Sequence, residues 1–228
     1  MSNLLAMGTH CQRGEEAIVG RSSHIYVYEG GGASAHMGVS LSLIDNESDG
    51  SFDERQIESS IRPQNNDHYP TTRCIAIENT HNVRGGTVVP QKKIISLAKL
   101  CQKHSLSFHL DGARLWNASV ATGLKLNDLA DPADTVSVCL SKGLGAPVGS
   151  LLAGSKNFIT RAKRLRKAVG GGMRQSGVLA AAGLFAIENN FERLSDDHRR
   201  AKLLAAALRA RPNVFKNIVE PATNILYF

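Results

Sequence analysis

Short apolar, β-branched runs recur along this chain, and three of them end on a polar cluster. Residues 73–78 (Arg-Cys-Ile-Ala-Ile-Glu) lead into Asn79-Thr80-His81-Asn82. Residues 107–110 lead into Asp111-Gly112-Ala113-Arg114, and residues 135–140 into Ser141-Lys142-Gly143. Parallel strands need a crossover of a dozen residues or more, usually a helix. Helical spacing fills the first gap, with Ile94, Ile95, Leu97, Ala98 and Cys101 recurring over 91–104. That alternation predicts an α/β fold with a mostly parallel sheet. Ligands of such sheets collect at the carboxyl ends of the strands, where the three polar clusters lie.

The other elements follow the same logic. Residues 3–13 predict a helix, 16–20 and 39–44 strands, and 24–29 a strand or short helix bounded by Gly30-Gly31-Gly32. Asp53 and Glu54 mark the first turn of a helix over 52–61. Residues 65–70 read as a loop, 85–89 as a turn and short strand, and 150–153 as a strand. Helices are predicted over 156–169, 175–189 and 192–210. The 228 residues suffice for one large domain plus a fragment. Residues 1–205 are assigned to the large domain. Residues 206–228 are assigned to the start of a small α+β domain, with its first strands within 213–228.

Charge and cysteine usage exclude several function classes. The net charge is +7, but aromatic residues are only 5% and no nucleic-acid motif occurs. The basic stretches 161–174 and 199–211 read as solvated helix faces rather than a polyanion site. Cys11, Cys74, Cys101 and Cys139 are scattered without metal-ligand spacing, which predicts structural thiols in a reducing compartment and no metal. No signal peptide or long apolar run is visible, so neither membrane nor nucleic acid is an expected partner and a cytoplasmic location is expected.

Lys142 carries the chemistry. It lies between the apolar run 135–140 and the apolar Leu151-Leu152-Ala153, with Gly143, Gly145, Pro147 and Gly149 turning the chain after it. Two buried strands around one lysine predict a desolvated amine, which loses part of its preference for the charged form. Its free base attacks carbonyls and forms Schiff bases. Lys142 is therefore the candidate lysine for pyridoxal phosphate (PLP). That cofactor needs a carboxylate to keep its pyridine nitrogen protonated. Asp111, at the end of the preceding strand, fits that role.

Four segments, in order, resemble the signatures of low-specificity L-threonine aldolases. They are Glu78-Asn79-Thr80-His81-Asn82, His109 to Leu115, Ser141 to Ser150, and Gly170-Gly171-Gly172-Met173-Arg174-Gln175. The resemblance implies a PLP-dependent large domain of fold type I and retro-aldol cleavage of threonine or allo-threonine to glycine and acetaldehyde. It implies Lys142 as the Schiff-base lysine and Asp111 as partner of the ring nitrogen. His24 would stack on the ring, and Arg114 would take the substrate carboxylate. His81 would approach the substrate hydroxyl, and Tyr28 would line the site. Lys167 and Arg174 match basic residues near the phosphate or the mouth of the site. The base is His24, His81 or a water held by one of them. The family also implies a homodimer or homotetramer.

Family members carry a segment before the position of Met1, including a Ser-Gly-Thr phosphate-binding turn, and a longer small domain after Phe228. The chain is therefore expected to be truncated at both ends, to bind PLP weakly, and to expose Leu226 and Phe228. Another fold-type-I β-eliminating lyase or an aminotransferase, a non-catalytic fragment that binds a full-length subunit, and a polyanion-binding protein are the competing expectations.

Overall fold

Parallel pairing dominates the sheet of the computed structural model, which describes residues 1–228. The strands are β1 (Glu16–Gly20), β2 (Ser40–Ile44), β3 (Thr72–Glu78), β4 (Ser107–Gly112), β5 (Thr135–Cys139) and β6 (Ser150–Gly154). They form one sheet in the order β2-β1-β3-β4-β5-β6. Every neighbouring pair is parallel except β5 with β6. The chain runs outward from β1 to β2, then returns past β1 to β3. The carboxyl ends of β1 and β3 thus flank the point where strand order reverses, the place where open α/β sheets bind ligands.

Alternation along the central strands divides the core between the two faces. Ile18, Ile75, Ile77, Phe108 and Leu110 face one cluster, which also holds Ile94 and Leu97 of α5 (Gln91–Lys103). Ala17, Val19, Cys74 and Ala76 face the other, with Met7 of α1 (Ser2–His10) and Phe158 of α8 (Lys156–Ala168). Each fully buried Ile, Leu or Phe contributes ~1.5–3 kcal/mol, so this double-sided burial fixes the strand register. Both faces being covered also explains why the strands read as near-continuous apolar runs. The expected helix over 91–104 buries Ile94, Leu97, Ala98 and Cys101, whereas Ile95 points outward at 42% exposure.

Two short helices follow β1. The first, α2 (His24–Val27), resolves the choice between strand and helix for this segment. The second, α3 (Gly32–Met37), went unpredicted, because Gly30-Gly31-Gly32 read as a boundary; Gly31 and Gly38 instead cap it in left-handed conformation, at φ 67° and 69°. Helix α4 (Glu54–Ser60) begins on Asp53, whose carboxylate accepts from the Arg55 N–H. The β4–β5 crossover contains α6 (Leu115–Thr122) and α7 (Leu126–Ala130). Helices α9 (Gly177–Asn190) and α10 (Leu194–Arg209) complete the chain.

Two expectations are corrected. Lys142 does not lie between two buried strands: β6 pairs only with β5 and leaves Leu151 47% exposed. No strand forms within 213–228 either. A lone strand has no ladder to satisfy its backbone, and this segment docks instead on the loop after β3. There Thr223 Oγ1 donates to the Gly86 carbonyl at 2.7 Å and Tyr227 Oη to the Asn82 carbonyl at 3.3 Å. Phe228 is 75% exposed, as expected, while Leu226 is half-buried. The residue 205/206 division falls within α10. No helix is long and apolar enough to cross a membrane.

Candidate active site

The three polar clusters meet at one end of the sheet, because β3, β4 and β5 run parallel and each cluster follows a carboxyl end. Glu78 is the last residue of β3 and pairs in register with Asp111 of β4. Both are buried. The Glu78 carboxylate joins two loops, accepting the His24 N–H at 2.8 Å through Oε2 and the Asn82 N–H at 2.9 Å through Oε1. The start of α2 is thereby tied to the end of β3 across the strand-order reversal.

Asp111 accepts two hydrogen bonds, from Asn3 Nδ2 at 2.8 Å and from the Ala113 N–H at 3.2 Å. Burial pushes its carboxyl up to about 7, and the neighbouring Glu78 and Glu29 push it the same way; His24 and Lys142 act against them. Lys142 is half-buried in the turn after β5, within electrostatic reach of Asp111.

His24 is oriented by Glu29. A carboxylate only accepts, so His24 Nδ1 carries the proton donated to Glu29 Oε1 at 3.0 Å. Nε2 is then free to accept. The bond to Glu29 raises the His24 pKa. Glu29 itself is pushed up by burial, but hydrogen bonds from His24 and Asn3 hold it below its usual value. A raised imidazole pKa stabilises the fold fully below the unfolded value of 6.5, and that contribution disappears as pH rises through the folded pKa. Glu29→Gln keeps the shape and removes the charge. It is expected to lower the His24 midpoint in an NMR titration; an unchanged midpoint would exclude Glu29 as the cause.

His81 differs in kind. It is fully buried, and burial lowers its pKa. Its Nδ1 accepts the Arg84 N–H at a long 3.4 Å, so the proton of the neutral ring lies on Nε2, which has no partner. Tyr28 is exposed, with its ring centroid 5.6 Å from that of His24. Arg114 is half-buried at the start of α6, three residues after Asp111. The structure therefore places Asp111, Lys142, Arg114, His24, His81 and Tyr28 at or after the carboxyl ends of β1, β3, β4 and β5, on one end of the sheet. Lys167, on the last turn of α8, and Arg174 beyond it are both exposed and stay outside the hydrogen-bonded cluster.

Four buried or half-buried groups lacked any assigned role: Glu29, Glu78, Asn3 and His109. Glu78 carried a signal, being an acid at the last position of an apolar strand. Asn3 carried none, since its partners Glu29, His109 and Asp111 lie 26, 106 and 108 residues away.

These residues fit PLP. The buried carboxylates of Asp111 and Glu78, with Glu29 beside them, leave surplus negative charge that a protonated pyridine nitrogen would offset. Ser23 Oγ, Thr80 Oγ1 and His81 Nε2 are buried polar atoms without partners, a cost of about 1–3 kcal/mol each that a polar ligand relieves.

Comparison with known proteins gives a consistent result. Residues 1–228 match the β-eliminating lyase family. The chain is 46% identical to a probable low-specificity L-threonine aldolase 2 of Arabidopsis thaliana, over 100% of this chain and 64% of that protein. It is 42% identical to the low specificity L-threonine aldolase of Escherichia coli (strain K12), over 99% of this chain and 66% of that one. Among solved structures, a Leishmania major threonine aldolase superposes with a TM-score of 0.82 at 25% identity, covering 98% of this chain and 65% of that one. A Thermus thermophilus aspartate aminotransferase shares the fold, with a TM-score of 0.72 at 15% identity over 99% of this chain and 57% of that one. The chain thus spans slightly under two thirds of its Arabidopsis relative.

Proposed function

This chain belongs to the β-eliminating lyase family, and we propose that it carries the ring-binding half of a PLP-dependent L-threonine aldolase site. The observation that carries this reading is the buried Asp111, flanked by Glu78 and Glu29 and facing Lys142. The reaction class is cleavage of L-threonine or L-allo-threonine: the β-hydroxyl loses a proton, the Cα–Cβ bond breaks, Cα gains a proton, and glycine and acetaldehyde leave.

When bound, PLP supplies the electron sink for the pair released from that bond. Asp111 holds a proton at the ring nitrogen, and Lys142 provides the amine that attaches the cofactor. Arg114 offers a guanidinium fork to the substrate carboxylate. The two histidines divide the proton work by tautomer. His24, with Nδ1–H fixed on Glu29, presents a free Nε2 and is the acceptor for the hydroxyl proton. His81, with its Nε2–H unpartnered, donates a hydrogen bond to the substrate oxygen. Lys167 and Arg174 serve the phosphate or the mouth of the site once the molecule is assembled. The exposed apolar residues of α9, Val178, Leu184 and Phe185, support assembly with a second subunit.

The test is attachment of the cofactor. PLP followed by borohydride reduction is expected to add the cofactor mass to residue 142 of the wild type and to leave Lys142→Ala unmodified. Equal labelling of both chains would overturn the assignment. Acetaldehyde release from L-threonine, against pyruvate and ammonia release from L-serine, separates aldol cleavage from β-elimination.

A further inference from the structure

Asn3 has no part of its own in the scheme above, yet its amide is fully committed to two residues that do. It is buried, and Nδ2 donates to Glu29 Oε1 at 2.7 Å and to Asp111 Oδ2 at 2.8 Å. Both acceptors are carboxylate oxygens, so the amide has one permitted orientation, with Oδ1 toward His109 Nε2 at 3.2 Å. A carbonyl oxygen only accepts, so His109 carries its proton on Nε2. Its Nδ1, 2.9 Å from Thr135 Oγ1, must then accept the threonine proton. Thr135 has no second proton, so its oxygen accepts from His10 Nε2 at 2.7 Å. One orientation at Asn3 fixes every direction behind it.

We propose that Asn3 is a positioning residue, the last link of a one-way hydrogen-bond chain from His10 through Thr135 and His109, which gives Asp111 and Glu29 a separate N–H donor each and so keeps the two carboxyls from sharing one proton. His24, Glu29 and Asp111 offer atoms that all lie within 4.8 Å of one another. Carboxylates that close share a proton unless each has its own donor. Asn3 gives one N–H to each. Donors aligned in one direction also polarise one another, and they add no charge, because burial keeps both imidazoles neutral, His109 down to about 3 and His10 to about 4. Asp111 stays available to the ring nitrogen while Glu29 orients His24. That purpose rests on the functional reading above; the directions of the bonds do not.

The groups facing this cluster are Glu78 from β3, His24 and Glu29 from and after α2, Lys142 after β5, and the Met1 ammonium. The experiment uses the full chain without cofactor, labelled with ¹⁵N at histidine. The wild type is expected to show His109 as the Nε2–H tautomer at neutral pH. In Asn3→Ala, Glu29 and Asp111 share a proton, and the His24 midpoint falls. Thr135→Val removes the donor to His109 Nδ1 and gives a mixture of tautomers, which Thr135→Ser restores to Nε2–H. An Nδ1–H tautomer in the wild type overturns the proposal, whether or not the variants fold. So does a His24 midpoint unmoved in folded Asn3→Ala. Neither measurement involves PLP, so failure of the Lys142 labelling experiment is separately visible.

Discussion

Asp111→Asn is expected to make the cofactor-free chain more stable at neutral pH while, on the role proposed for Asp111, reducing acetaldehyde release from L-threonine by roughly 10²-fold or more. The same burial causes both effects. Asp111 ionises at about 7 in the fold against 3.8 in the unfolded chain, so its charged form costs about 4 kcal/mol at 1.36 kcal/mol per pH unit. The amide loses one well-oriented bond to Asn3, about 1 kcal/mol. The net gain, ~3 kcal/mol, corresponds to a Tm increase of about 6–12 °C for a chain this size. The sign with pH follows from linkage. A raised carboxyl pKa leaves the fold uncharged and unpenalised below the unfolded value; the penalty grows as pH rises from about 4 to about 7 and is complete above that. The Tm difference between variant and wild type should therefore be large at pH 8 and close to zero at pH 4. An equal difference at both would mean that the carboxyl is not the source. On the role proposed for Asp111, the functional loss has the opposite origin: a neutral amide would not keep the ring nitrogen protonated, so the burial that costs stability would serve the charge the reaction needs.

What was legible in the chain follows from the range of the interactions involved. β3, β4 and β5 could be read because they are covered on both faces, and the sequence records this locally as apolar runs ending in polar clusters. Asp111 and Lys142 were legible for the same reason, as charged groups at the ends of such runs. β6 read as buried because Leu151 and Leu152 look like core; its position at the sheet edge is a property of strand order, which no local window contains. Val214, Ile218 and the run 224–228 suggested strands, but a strand needs a neighbour, and docking on the Gly86 loop satisfies this segment without one. The role of Asn3 was invisible because all three of its polar partners are distant in sequence. Glu29 closes the stretch 24–29 yet had no assignable role until α2 turned His24 Nδ1 onto it.

His81 is held by a contact that can be tested with two glycines in the same backbone conformation. Gly14 and Gly50 both adopt φ of 86°. A β-carbon at Gly14 meets nothing within 4 Å, whereas one at Gly50 lies 2.6 Å from His81 Cβ and 2.8 Å from its Cγ. Gly14→Ala carries only the left-handed backbone cost, about 1–2 kcal/mol. Gly50→Ala carries that cost plus the displacement of a fully buried ring. His81 cannot withdraw along its own backbone, because its N–H donates to the Thr87 carbonyl and its carbonyl accepts the Gly86 N–H, each at 2.9 Å. Overpacking of this kind adds about 1–3 kcal/mol, so Gly50→Ala should lower Tm by roughly twice as much as Gly14→Ala. The loop around Gly50 is itself anchored, with Asn46 Nδ2 donating to the Gly50 carbonyl and Lys93 Nζ bonded to Asp49 at 2.8 Å, so the strain passes to His81 rather than into solvent. On the role proposed for His81, the two variants should separate further in acetaldehyde release from L-threonine: Gly14→Ala retains it, and Gly50→Ala loses it through the displaced Nε2–H. Equal Tm values for the two alanines would show that the loop, not the histidine, gives way.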